Sequence, residues 1–196
     1  MGIDNINKVS DILLNTQNLG VTTVGELSNA LSKVTPVASA FGVSIENVTS
    51  ALALMTKQGT NTEVASTGLS SILSELGKSG TTASENLQKA SLSAGLTETS
   101  FKGLLDSGKS LGDILDIMSQ YAEQNNLSLV DMFSSIEAGK SALQITNAGA
   151  EEFNETLDSM ETASGLVSES FEKMVTPSQR LDSAIATLKT TIGEKL

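Results

Sequence analysis

Several stretches of this sequence set residue types at spacings that can do chemistry. Gly103-Leu-Leu-Asp-Ser-Gly108-Lys109-Ser110 matches the phosphate-loop pattern G-x-x-x-x-G-K-[ST] letter for letter. That loop works because backbone N–H groups of a strand-to-helix turn cradle phosphates while the lysine and the hydroxyl hold charge and Mg²⁺. Here the context is wrong. The stretch from Thr97 to Lys102 holds one bulky apolar residue, Phe101, so the buried strand is missing, and Asp106 sets a carboxylate where phosphate belongs. The segment reads instead as a helix ending near Asp106, a glycine turn, and Ser110 capping the next helix. Ser170-Phe-Glu-Lys173 has the S-x-x-K spacing of penicillin-binding enzymes without their partner motifs. It reads as one solvated helix face on which Lys173 pairs with Glu169.

Carboxylates gather at Glu151, Glu152, Glu155 and Asp158, but nothing sets two of them across a cleft as hydrolysis requires. No calcium loop of the required spacing is present. The chain has no His and no Cys. It therefore lacks the usual general base, the thiolate nucleophile and the common transition-metal ligands. These residues predict no catalytic, cofactor-binding or metal site and no cofactor; the expected protein is not an enzyme.

The elements that carry these residues read as helices. Ser or Thr followed three residues later by Glu, Asp or Gln marks helix starts at Thr23/Glu26, Thr82/Glu85, Ser110/Asp113, Ser128/Asp131 and Thr176/Gln179. Stop signals fall at Gly20, Gly42, Gly59, Gly77, Gly95 and the pair Asn125-Asn126. Between them apolar residues recur at helical spacing: Leu27, Ala30, Leu31, Val34; Val48, Leu52, Met55; Leu69, Ile72, Leu73, Leu76. Pro36 lies inside one helical stretch and predicts a break near Thr35. Gly20-Val21-Thr22, Gly42-Val43-Ser44 and Asn126-Leu127-Ser128 share a stop-then-cap phrase that is too short to count as a repeat.

The predicted fold is all-α: an irregular multi-helix bundle of short helices over 1–146, then a longer heptad-patterned helical segment over 147–196. In that segment Phe153, Leu157, Met160, Val167, Phe171 and Met174 form one seam at steps of four and three, with Ser164 in the gap. A continuous helix from Glu151 to Val175 is roughly 37 Å long. Thr176-Pro177-Ser178-Gln179 then ends it and starts another, carrying Leu181, Ile185, Leu188 and Ile192. The seam either folds back on the bundle or pairs with another copy of the chain, and the pattern alone leaves both open.

Composition agrees with packed helices. The 196 residues suffice for a sizeable core, and with 3% aromatics that core rests on Leu, Ile, Val, Ala and Met. Ser and Thr make up about a quarter of the chain, above ordinary usage. A net charge of −11 gives no electrostatic footprint for nucleic acid or an anionic membrane surface. No apolar run reaches the length of a membrane span. Met1-Gly2 ahead of a helix-like stretch suggests an engineered start, with natural sequence expected on either side.

The string GVTTVGELSNALSKVTPVASAFGVSIENVTSALALMTKQG, from Gly20 to Gly59, resembles the core region of phage tail tape measure proteins. The likeness continues through Val64 to Leu76, through Gly108-Lys109-Ser110-Leu111-Gly112-Asp113-Ile114-Leu115, and through Phe133 to Gly139, so it covers nearly the whole chain. The G-K-x-L-x-D-I-L phrase of that family also accounts for the false phosphate loop. The resemblance implies a module of a long helical protein whose length sets tail length and around which tail tube subunits assemble. Its implied partners are other copies of itself and tail tube or tail assembly proteins, in a virion tail built in the bacterial host cytoplasm. Some family members carry a hydrophobic segment or a peptidoglycan hydrolase domain elsewhere, and neither is visible in this sequence. The alternative is a free-standing helical protein–protein interaction domain or secreted effector.

Overall fold

The computed structural model describes residues 3–166, with side chains from residue 8 onward. Its elements are α1 (Ile3–Leu19), α2 (Val24–Phe41), α3 (Ile45–Lys57), α4 (Thr62–Gly77), α5 (Thr82–Ser93), α6 (Phe101–Asp106), α7 (Leu111–Gln124), a 3₁₀ turn (Leu129–Met132), α8 (Ile136–Ala148) and α9 (Ala150–Glu161). The described residues are all-α, as the periodicity predicts.

Local chemistry explains most boundaries. Thr23 and Glu26 close a capping box at the start of α2, Ser110 and Asp113 do so at α7, and Ser128 and Asp131 do so at the 3₁₀ turn. At α5 the cap lies one residue earlier than Thr82: Thr81 is the N-cap and Ser84 its reciprocal partner, leaving Glu85 in the first turn. Gly42, at φ 76°, and Asn126, at φ 55°, supply left-handed turns after α2 and α7. Gly77 does not end its helix by conformation. It is the last residue of α4, and an added Cβ would lie 2.3 Å from the ring of Phe41, so close packing requires glycine there.

Two expected features are corrected. α2 runs unbroken through Pro36. The proline forfeits one backbone bond, but Ser32, Thr35 and Pro36 are all exposed, so water reaches the freed carbonyl. Meanwhile Leu27, Ala30, Val34 and Ala38 stay in register as a buried stripe whose main neighbour is α4. The expected continuous helix from Glu151 stops at Glu161. Thr162 N–H closes on Asp158 O at 3.0 Å, and Gly165 adopts φ 75°.

α4 is central, packing on α2, α8 and α3. Its side chains Leu69, Ile72, Leu73 and Leu76 join Leu52, Met55, Leu87, Leu104, Leu111, Ile114, Leu115 and Phe153 in one core. A smaller cluster of Ile12, Ala53, Met160 and Ala163 lies where α1, α3 and α9 meet. Helices approach through small residues: a Cβ on Gly68 of α4 would fall 1.9 Å from Ser141 Oγ of α8.

Candidate functional surface

Gly103 to Ser110 contains no phosphate cradle. Gly103 lies inside α6, Ser107 caps its end, Gly108 turns at φ 91°, and Ser110 starts α7. The N–H groups that would bind an anion already have partners. Leu111 N–H donates to Asn47 Oδ1 at 2.9 Å, Ser110 N–H to Asp113 Oδ2 at 3.0 Å, and Asp113 N–H to Ser110 Oγ at 3.0 Å. Lys109 lines a cleft of about 480 Å³ that it shares with Asp113, Asp158 and Glu161, so a phosphate entering there meets carboxylates. Ser170 and Lys173 lie outside the described residues.

The heptad residues divide. Phe153 is fully buried against Gly112, where an added Cβ would come within 2.5 Å of its ring. Met160 is fully buried in the smaller cluster, and Leu157 packs half-buried on the main core. Val167, Phe171 and Met174 lie outside the described residues. The carboxylates of α9 point outward: Glu151, Glu155 and Asp158 are exposed, and Glu152 pairs with Lys57 at 2.7 Å.

The polar side chains tie distant elements together. The Glu75 carboxylate near the end of α4 accepts from Ser134 N–H at 2.7 Å, Ser135 N–H at 3.0 Å and Ser135 Oγ–H at 2.6 Å. It thereby sits at the positive end of α8, where a carboxylate is favoured. Asn47 links α3 to α7, and Asn154 of α9 donates to Asp113 Oδ1 at 2.8 Å. Asn15 of α1 donates to Ser159 O and to Ser159 Oγ, both at 2.9 Å. Sequence reading missed these residues because each partner lies 41 or more positions away, and no local spacing marks it.

Electrostatics here are structural. Burial pushes the Glu46 carboxyl up, but the hydrogen bond from Lys8, 2.9 Å away, that from its own backbone N–H, the Lys8 charge and a hydrogen bond from Ser44 together outweigh it and hold the group below its ordinary range. The same pair raises Lys8 above its ordinary value. Lys33 lowers the carboxyl of the exposed Glu63 by hydrogen bond and charge. Among the described residues no group of three or more Asp or Glu side chains gathers to hold a metal ion. No described helix is long and apolar enough to cross a membrane.

What the described residues define is a helical packing module, tied together by polar caps and cross-ties. The chain belongs to the family described as phage-related minor tail protein, which it matches over residues 1–189. It is 43% identical over 189 residues to a probable tape measure protein of Clostridium phage phiCD119. That alignment covers 96% of this chain and 20% of the relative, so the chain spans about a fifth of that protein's length. No solved structure matches.

Proposed function

We propose that the chain is a structural module of a phage or prophage tail tape measure protein, helping to set tail length and to template assembly of the tail tube, with no catalytic role. The observation that carries this reading is the 43% identity to a probable tape measure protein across 189 residues. The site chemistry supports it. The one nucleotide-like motif is spent on a helix turn, and the polar contacts serve α-helix packing. The partners proposed are other copies of the chain and tail tube or tail assembly proteins, within a virion tail assembled in the host cytoplasm. Leu157, Val167, Phe171 and Met174 stand as the contact between copies, since Phe153 and Met160 are already committed to the interior.

The test is where the protein goes during phage production. Immunogold labelling and mass spectrometry of purified particles are expected to place it in tails. Recovery from the culture medium free of particles would instead favour a free-standing interaction or effector domain.

A further inference from the structure

The first and last described segments meet. Asp11 of α1 accepts from Gly165 N–H at 2.8 Å, and four residues later Asn15 donates to Ser159, six residues earlier. Thr16 Oγ1 lies 3.6 Å from Met160 Sδ. As numbers rise along α1 they fall along its partner, so the two segments are antiparallel. Contacts with α3 agree: Lys8 pairs with Glu46 near its start, Gly20 packs on Ala53 and Thr56 near its end, and Lys57 at that far end pairs with Glu152 at the start of α9. The beginning of α1 and the end of α9 therefore leave the bundle at the same place.

We propose that this pairing is a strap that opens first, as a zipper, when tension is applied through the two ends of the module. Force on two antiparallel segments from their shared end loads their contacts one after another, whereas force along a packed interface loads them together. The strap is held more lightly than the core. Over residues 8–19 the buried side chains are Asp11, Ile12 and Thr16, with Ile12 the large apolar one, set in a cluster separate from the main core, while Leu13 of α1 and Leu157 of α9 rest only half-buried on the main core and peel from it as the strap opens. Opening halts at two anchors. One is Gly20-Val21, where Gly20 is wedged on Ala53 and Val21 N–H donates to Thr56 Oγ1 at 3.2 Å. The other is Phe153, seated in the main core against Gly112. The strap would let a tail module lengthen without losing its core, and that use rests on the tape measure reading. The order of opening does not.

The chain has no cysteine, so Val9→Cys and Ser164→Cys, both exposed, give two clean attachment points for optical tweezers on the 196-residue chain. Two events are expected. The first, at lower force, releases on the order of 70 Å of chain, from the segments between each attachment point and its anchor at about 3.5 Å per residue. The second unfolds the core. Ile12→Ala and, as a milder variant, Asn15→Ala lower the force of the first event and leave the second unchanged. A single event at every loading rate, or both events weakened in proportion, would overturn the proposal. Tails whose length ignores the module would refute the tail reading and leave this result standing.

Discussion

Replacing Gly68 with alanine sets two effects of known size against each other. In an exposed helix interior the change stabilises by about 0.8–1 kcal/mol, because glycine is the poorer helix former. Inside this bundle the new Cβ would lie 1.9 Å from Ser141 Oγ and 2.8 Å from Ser141 Cβ, closer than real contacts allow. Rotating the hydroxyl away relieves only the first clash, so α4 and α8 must move apart. Overpacking of this kind costs about 1–3 kcal/mol. The net expectation is destabilisation by up to about 2 kcal/mol, or a midpoint lower by up to roughly 8 °C for a domain of this size. Ser141→Gly alone also destabilises, by about 0.5–1 kcal/mol, since it puts a glycine in α8. In the double variant the clash is gone, and the next neighbour, Glu137 O at 3.5 Å, is an ordinary contact. Urea unfolding of all four proteins should therefore show coupling of about 1–3 kcal/mol, the size of the relieved clash, with the double variant more stable than the sum of the singles. A stabilising Gly68→Ala, or strict additivity, would refute the close approach of α4 and α8.

Three further outcomes follow from the cross-ties and the seam. Glu75→Ala strips the partner from two backbone N–H groups and one hydroxyl at the start of α8 and should cost about 2–3 kcal/mol in urea unfolding, with a loss below 0.5 kcal/mol counting against the clamp. The Lys8–Glu46 pair stabilises above the ordinary carboxyl value of 4.5 and loses that contribution as pH falls through the lowered Glu46 value; at the other extreme it fades as pH rises through the raised Lys8 value. Glu46→Gln should thus cost under about 1 kcal/mol at pH 7 and less as pH falls through the lowered Glu46 value, and an equal cost at every pH would contradict the pair. The wild type should self-associate at high concentration in sedimentation, and Leu157→Glu should weaken this while circular dichroism stays helical; monomers throughout would remove the seam as a contact between copies.

Much of the fold was legible because its signals are local. The boxes at Thr23, Ser110 and Ser128, the turns at Gly42 and Asn126, and the stripe from Leu69 to Leu76 depend on residues within one or two turns of each other. Failures came where packing overrode local preference. Pro36 stays helical because its lost bond faces water while Val34 and Ala38 hold the helix down, and Gly77 is a contact with Phe41 rather than a stop. The heptad pattern left open whether the seam folds back on the bundle or pairs with another copy, because the same apolar spacing serves either contact; Phe153 and Met160 serve the bundle's own interior. The cross-ties through Glu75, Asn47, Asn15 and Asn154 were illegible, since their partners come from distant helices. The family was legible through phrases spread along the chain, and the match over residues 1–189 agrees with them.

The central claim is that this module counts toward the length of a tail, and tail length is the direct measurement. Deleting its 196 residues in frame from the parent gene and measuring tails by electron microscopy should give a population of shorter tails. A module that stays folded in the tail contributes about 40 Å, the diameter of a compact chain of this length. One laid out as continuous helix contributes roughly 290 Å at 1.5 Å per residue. Shortening between these bounds is the predicted result, and its size reports how far the bundle opens. Intact tails of unchanged length would contradict the account.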